Sequence, residues 1–473
     1  MSQTITIDPV TRLEGHGKIT IQLNAQGEVE DAHFHVTQVR GFEKFSEGRP
    51  FYEMPSLTAR ICGICPVSHL LASAKACEAI MSVRIPHTAA QLRRILNLAQ
   101  MVQSHSLSFF HLSSPDLLLG MESDPAQRHI FGVAATRPEL GRAGIGLRRF
   151  GQHVIELLGT KRIHTGWVIP GGVTEPLSPA HRDEMLSMLP EAYANVSLAL
   201  AAYKQIADKF HQEISVFANF PSNYLGLTNE DETIEFTDGA LRLVGPRGYI
   251  IEDGINAQRF TEEFGEAVEP YSYTKFVYYK PLGYPEGSYR VGPLARLNIV
   301  KTMGAPKADQ ELAEFKQLAD GPVESSFFYH HARLVEVLHG IEKIERILAD
   351  PQILDKHVRA TAGVNRLEGA GQIEAPRGTL NHHYKVDENG RIVWANLVVA
   401  TGHNNNAMDR GVLQAAKAYV KDGKFTEGAL NRVEAVIRTF DPCLSCSTHA
   451  FGQMPLAMTL VSPDGEVVDR LVR

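Results

Sequence analysis

Four of the five cysteines in this 473-residue chain fall into two C-x-x-C turns, Cys62/Cys65 and Cys443/Cys446. Cys77 stands alone, and no cysteine lies between it and Cys443. Thiolate is a soft ligand, and a C-x-x-C turn directs two sulfurs at one ion. Two such turns supply four sulfur donors, which suits zinc, an iron–sulfur cluster or a nickel-containing centre. The blandest alternative is a structural zinc site, because closed tetrahedral thiolate sites are common. Zinc ribbons, however, separate their pairs by ~15–20 residues. Here nearly the whole chain intervenes, which suits a cofactor in the core better than a local staple. Two unrelated surface turns are a weaker alternative, since only one further cysteine exists. Five cysteines in so long a chain do not make a disulfide scaffold.

The elements that must position these turns are legible in part. Ile5 and Ile7, then Ile19, Ile21 and Leu23, alternate as strands do, and Val29, Phe34 and Val36 suggest a returning strand. Thr88 to about Leu112 reads as helix, with Thr88 and Gln91 as a capping box and Leu92, Ile95, Leu96, Ala99 and Val102 on one stripe. Pro138 to Leu158 reads as a second helix with Leu140, Leu147, Val154 and Leu158 inward. Ser178-Pro179 opens a third that runs towards Phe217, kinked or divided at Pro190. Short strands fill about 230–300, and helix returns through about 350. A hairpin pairs Leu380–Val386 with Ile392–Val399 across Asp387-Glu388-Asn389-Gly390. The expected fold class is mainly α with small β elements (α+β), a single domain over 1–449 whose two ends meet.

Composition is that of an ordinary globular protein, 44% hydrophobic and 21% charged. The formal charge of −7 and the lack of a long basic run argue against nucleic-acid binding. The start, MSQTITIDPV, shows no basic region before an apolar stretch, and no window approaches the ~18 apolar residues of a membrane span. A cytoplasmic protein without its own membrane span is the expectation.

The flanks of the two turns sharpen the chemistry. Arg60-Ile61-Cys62-Gly63-Ile64-Cys65-Pro66-Val67-Ser68-His69 and Asp441-Pro442-Cys443-Leu444-Ser445-Cys446-Ser447-Thr448-His449 resemble the two signature motifs of nickel–iron hydrogenase large subunits, R-x-C-G-x-C-x-x-x-H and D-P-C-x-x-C-x-x-H. The run Asp8 to His16 resembles the opening motif of that family. Arg40-Gly41-Phe42-Glu43, His105 to Asp116, Tyr289 to Arg296 and Glu374 to Gly378 extend the likeness over the full chain. In detail the chain looks most like the cytoplasmic, bidirectional, NAD-coupled (Hox-type) enzymes, in precursor form.

That resemblance implies a nickel–iron hydrogenase large-subunit fold and reversible heterolytic cleavage of H2. It implies that Cys62, Cys65, Cys443 and Cys446 bind nickel, and that Cys65 and Cys446 also bridge to an iron carrying carbon monoxide and cyanide. Cys443 is then the first proton acceptor, Glu14 the carboxylate that passes the proton outward, and Arg377 a cation above the open coordination position, paired with Asp116. Glu43 and His449 match the ligands of a magnesium ion. His69 orients the thiolates through a hydrogen bond, and Thr401 donates to cyanide. One departure is Ala400, where the usual catalytic chain carries proline before Ser or Thr.

The 24 residues from Ala450 to Arg473 match a tail that related precursors lose by cleavage between His449 and Ala450 after nickel insertion. An ordinary packed C-terminus is the alternative. The family likeness also implies maturation chaperones, an endopeptidase and an iron–sulfur small subunit. In the Hox-type group it adds a flavin-containing NAD(P) diaphorase. No strand-linked G-x-G-x-x-G fingerprint is seen, so NAD binding is expected on a partner. Two competing readings remain at this level: a metal-free relative in a respiratory complex, and a zinc-stabilised scaffold.

Overall fold

The computed structural model describes residues 3–421, 425–448, 457–464 and 466–472. A three-stranded antiparallel sheet opens the chain: β1 (Gln3–Ile7), β2 (Gly17–Leu23) and β3 (Val29–Val36), in that order. Ile5 pairs with Ile21 and Ile19 with Phe34, so the alternating apolar residues share one buried face.

Long helices make the centre. Helix α1 (Pro66–Met81) starts directly after Cys65 and is buried along almost its whole length. Pro66 and Val67 open it where the missing proline N–H costs nothing. Helix α2 (His87–Ser106) packs on it, α3 (Pro138–Gly159) and α5 (Tyr329–Ala349) pack on α2, and α4 (Pro179–Ala207) packs on α3 and α5. Leu92, Ile95, Leu96, Ala99 and Val102 of α2 are fully buried, as are Leu147 and Val154 of α3. The helical stripes face the core, as the spacing predicts.

Two local expectations need correction. The capping box does not form: α2 starts at His87, and the Thr88 hydroxyl instead donates to the Gln352 carbonyl at 3.1 Å. Pro190 does not divide α4, which runs unbroken through it. Pro190 is exposed, so the carbonyl it leaves without a donor faces water. Ser178 does cap α4, accepting the His181 N–H at 3.1 Å.

The hairpin gains a strand that the sequence pattern conceals. β4 (Glu368–Ala375) joins β5 (Gly378–Val386) and β6 (Ile392–Val398) in an antiparallel sheet. β4 is rich in Gly and Ala because α1 lies directly over it. A Cβ on Gly371 would sit 2.2 Å from the Ala72 carbonyl oxygen. The turn from β4 into β5 carries Arg377. Helices α6 (Asn405–Tyr419) and α7 (Glu427–Phe440) follow, and Asp441 caps α7 with φ 51°, turning the chain into Cys443. The main apolar core runs from Ile5 to Cys446, and a smaller cluster gathers around Leu225, Leu241 and Phe264.

Asp409 of α6 ties that helix to the first sheet: its carboxylate accepts the Phe34 N–H at 2.8 Å and the Tyr271 hydroxyl at 2.7 Å. Burial, with Asp31 and Glu269 nearby, pushes its pKa from 3.8 up to about 7. A raised carboxyl contributes stability that is complete below its unfolded value and is lost as the pH climbs to about 7. Asp409→Asn carries no charge; its Oδ1 can still accept the Phe34 N–H, and its amide nitrogen can donate to the Tyr271 hydroxyl. Its thermal midpoint, followed from pH 5 to 8, is therefore expected to fall less than that of the wild type; parallel curves would contradict this.

Candidate metal centre

Both cysteine turns meet. The first is held between the last residue of a short 3-10 turn (Ala59–Ile61) and the start of α1. The second lies between the left-handed Asp441 and a single helical turn, Leu444–Ser447. The four sulfurs lie within 4.8 Å of one another, and all four cysteines are buried. Cys62 Sγ is 3.5 Å from Cys443 Sγ, and Cys65 Sγ is 3.5 Å from Cys446 Sγ. Cys77 is elsewhere: it is buried in α1 and donates to the Phe51 carbonyl, and burial pushes its thiol well above the usual range.

Several contacts hold the two turns together. The Arg40 guanidinium donates to the Ile61 carbonyl at 2.7 Å and to the Ser445 carbonyl at 3.2 Å, so one side chain clamps both. Gln100 and Gln103, three residues apart on α2, both donate to the Ile64 carbonyl, at 2.7 and 2.8 Å. His164 Nε2 lies 3.0 Å from the Cys62 carbonyl. The N-terminal segment closes over the second turn: the Leu444 N–H donates to the Glu14 carbonyl at 3.0 Å. Gly15 makes this approach possible, because with φ +89° its Cβ would lie 2.7 Å from Leu444 Cβ.

Glu14 and Cys443 touch. The Cys443 thiol donates to Glu14 Oε2 at 3.0 Å, and the same oxygen accepts the Ser445 N–H at 3.0 Å. Glu14 itself is half-buried, so it has one side towards the sulfurs and another towards solvent. Thr401 accepts the Cys443 N–H on its hydroxyl at 2.9 Å. A hydroxyl that accepts still has its own hydrogen to donate. Ala400 begins a short helix, Ala400–His403, that seats this threonine.

Arg377 lines the same small cavity as Cys65, Cys443 and Cys446. Its Nε donates to the Asp441 carbonyl at 2.5 Å and its Nη2 to Asp441 Oδ1 at 3.2 Å. Burial works against its charge, but Asp441 and the Cys443, Cys65 and Cys62 sulfurs outweigh that and raise its pKa. The expected pairing of Arg377 with Asp116 does not hold. Asp116 binds Arg12 at 2.5 Å and Arg438 at 3.1 Å, and accepts the Asn431 amide at 3.0 Å. Burial opposes ionisation of Asp116, yet Arg438 and Arg12 keep its pKa lowered. The reason is position: Asp116 follows a π-helical turn (Leu107–Ser113) that points it at α7, whereas Asp441 is built into the turn beside Arg377.

The outer residues are placed as follows. His69 Nδ1 lies 3.1 Å from His382 Nε2, and His382 Nδ1 lies 2.6 Å from the Tyr384 hydroxyl, which donates to Ser73 at 2.9 Å. Glu43 accepts the Leu397 N–H at 3.1 Å, with Lys275 Nζ 3.6 Å away. His449 and Ala450 lie outside the described residues. The backbone under Arg377 is fixed by Arg296, which donates to the Ala375 and Pro376 carbonyls and pairs with Glu336 and Glu374, all three charged side chains being fully buried.

A small cavity opens beside the sulfurs, lined by Cys65, Ser68, Arg377, Thr401, Cys443 and Cys446 among others. Its free volume is about 10 Å³, roughly what one water-sized sphere needs. Arg377 Nη1 and Ser68 Oγ are buried and have no hydrogen-bond partner among the described residues. The donor set fits a soft or borderline metal. Burial pushes the Cys443 and Cys446 thiols well above their usual range, while hydrogen bonds from Cys443 and then Cys446 hold Cys62 well below it. Four buried sulfurs give up their protons together only to a metal cation.

Four buried cysteine sulfurs, contributed half by each end of a large helical chain and flanked by a carboxylate and a guanidinium, define a metal centre in the core and not a peripheral staple. The nickel-dependent hydrogenase family model matches residues 40–127 and 247–449, and a model described as HoxL-like matches residues 4–39. The chain is 39% identical to the NAD-reducing hydrogenase HoxS subunit beta of Cupriavidus necator, covering 100% of both chains. It is likewise 39% identical to a chain of the F420-non-reducing hydrogenase vhc of Methanococcus voltae, over 99% of each. The structure overlays that of an NAD+-reducing [NiFe]-hydrogenase in the H2-reduced state with a TM-score of 0.92 and 42% identity, covering 94% of this chain and 99% of the other. The chain belongs to the nickel-dependent hydrogenases, as a large, catalytic subunit of the nickel–iron type.

Sequence reading missed Arg40, Gln100, Gln103, His164 and Asp441 as parts of the site. Arg40 and Asp441 stand inside motifs that the cysteine flanks and their neighbours already mark. The two glutamines and His164 carried no signal of their own, because they act on backbone carbonyls brought near only by the fold.

Proposed function

We propose that this chain carries the H2-cleaving centre of a cytoplasmic NAD-coupled hydrogenase, passing electrons through an iron–sulfur small subunit to a flavin-containing diaphorase and NAD(P). The observation that carries this reading is the hydrogen bond from the Cys443 thiol to Glu14 inside a closed four-sulfur site. Cys62, Cys65, Cys443 and Cys446 would hold nickel, and Cys65 and Cys446 would also serve an iron with carbon monoxide and cyanide. When bound, that pair of metals supplies polarisation of H2 and two-electron redox chemistry.

The side chains do the rest. Cys443 Sγ takes up the proton that heterolysis releases, and Glu14, 3.0 Å away, accepts it for transfer to solvent. Arg377 keeps a fixed positive charge beside the cavity, which favours anionic ligands there, and its unpartnered Nη1 is free to donate to them. The Thr401 hydroxyl and Ser68 Oγ are further donors of the right reach. Asp441 holds Arg377 in orientation, and Arg40 keeps the two cysteine turns in register. Glu43, with His449, would supply oxygen and nitrogen ligands to a magnesium ion. His69 stays in place through His382 and Tyr384.

Two features support the choice of partners. The likeness to the NAD-reducing HoxS chain spans the full length. Apart from the tetrad only Cys77 remains, fully buried, so the electron wire must be borne by another polypeptide. No helix among the described residues is long and apolar enough to cross a membrane. Purified assembly is expected to reduce both benzyl viologen and NAD(P)+ with H2. Viologen reduction without NAD(P)+ reduction, in an assembly retaining its flavin component, would defeat the NAD coupling alone.

Residues 1–449 form the mature domain in this reading, and the segment from Ala450 on is removed by an endopeptidase once chaperones have loaded nickel. Among the described residues, strands Ala457–Val461 and Val467–Val472 pair only with each other as a separate hairpin, and Val467, Val468 and Leu471 remain more than half exposed. That exposure favours a processing segment over a packed C-terminus. Intact-mass spectrometry of active enzyme is expected to place the C-terminus at His449; a full-length active chain would exclude cleavage.

A further inference from the structure

A second cavity, of about 260 Å³, lies between the start of α2, the last turns of α5 and the loop around Ile234. Along α2 it is set apart from the metal turns: Arg94, in its wall, precedes Gln103 by nine residues, roughly 14 Å of helix. Its wall divides into two kinds of surface. Leu98, Phe236 and Ile347 contribute an apolar side, and Arg94, Lys343 and Arg346 contribute three cations.

Of the two carboxylates in the wall, Glu235 is fully engaged, and Asp350 is exposed with one oxygen used. One Glu235 oxygen accepts the N–H groups of Phe236, Thr237 and Asp238, while the other holds Arg94 at 2.9 Å. Asp350 accepts the Gln352 N–H at 2.9 Å. Lys343 and Arg346, one turn apart on α5, form no ion pair among the described residues. Lys343 is half-buried, and burial lowers its pKa, as does the neighbouring Arg346. His339, one turn earlier on the same face, is only 2% exposed and packs against Phe236 with ring centroids 5.5 Å apart. Its Nδ1 has no partner among the described residues. Burial keeps the imidazole neutral, its pKa pushed down to about 3.

Two cations that form no ion pair stand here beside an apolar wall, a surface that suits a ligand carrying both a negative charge and an apolar body. We propose that this cavity binds a small organic anion, a carboxylate or phosphate monoester with a flat apolar body. The charged group lies against Lys343 and Arg346, and the body lies against Phe236, Leu98 and Ile347. Neither half of the wall suffices alone: an inorganic anion leaves the apolar side unfilled, and an uncharged ring leaves Lys343 unmatched.

Isothermal titration of the assembled hydrogenase with phenyl phosphate, benzoate, inorganic phosphate and benzyl alcohol tests this. Phenyl phosphate or benzoate is expected to bind saturably, one per large chain, and the tighter of the two identifies the anionic group. Inorganic phosphate and benzyl alcohol are expected to bind at least about tenfold more weakly. Lys343→Met should weaken the aromatic anion at least about tenfold while H2-dependent viologen reduction is unchanged, which also shows that the variant is folded. Arg346→Gln, at an exposed position, should weaken it in the same direction and serves if Lys343→Met does not assemble. No saturable binding of either aromatic anion, equal binding of benzyl alcohol, or affinity untouched in the folded variants would overturn the proposal.

Discussion

Exchange of Cys446 for serine is expected to leave the chain folded and empty of nickel, with H2-dependent viologen reduction at background. Its sulfur lies 2.8 Å from Cys443 Sγ and 3.5 Å from Cys65 Sγ, inside a group of four confined to 4.8 Å. A serine hydroxyl is a harder donor that stays protonated, so a site built for four soft anions is left with three. Outer-sphere partners of metal ligands are already worth ~10–100-fold in affinity or activity, and loss of a direct ligand must exceed that. Metal analysis beside an activity assay reads the result. Nickel retained at one per chain in the serine variant would show that Cys446 is not a ligand.

Glu14→Gln should separate metal binding from proton transfer. Glutamine keeps an oxygen to accept the Ser445 N–H, so the second cysteine turn holds its shape. It cannot take a proton from Cys443 at neutral pH. Positioned acid–base groups contribute ~10²–10⁴-fold, and a loss of that size in H2 oxidation is expected with nickel and iron content unchanged. Exchange of H2 with solvent deuterium should fall in parallel, since it needs the same transfer. Glu14→Asp, which keeps the acid but shortens its reach, should recover part of the rate. Full activity in the glutamine variant would move the proton exit elsewhere.

Much of this site was readable in the sequence because its chemistry is compressed into short motifs. Cys62/Cys65 and Cys443/Cys446 declare themselves by spacing, and the need to explain them together predicts that the ends of the chain meet. The apolar stripes of α2 and α3 and the alternation of β1 to β3 follow from burial on one face, so periodicity revealed them. β4 escaped because α1 presses on it: Gly369 and Gly371 replace the branched residues by which strands are recognised. The partner of Arg377 escaped for a different reason. Asp116 and Asp441 are equally plausible carboxylates in one dimension, and only the π turn before Asp116 and the left-handed cap at Asp441 decide which faces the guanidinium. Arg40, Gln100 and Gln103 act through carbonyls of residues 21 to 405 positions away, a relation no local pattern encodes.

Both ends of the chain are expected to enclose one nickel–iron centre. Elemental analysis of the purified, active assembly, with the iron of the small subunit counted separately, tests it most directly. One nickel and one additional iron per large chain, both lost together in Cys446→Ser, is the predicted result. Stoichiometric zinc without nickel, or a fully active chain without either metal, would contradict it.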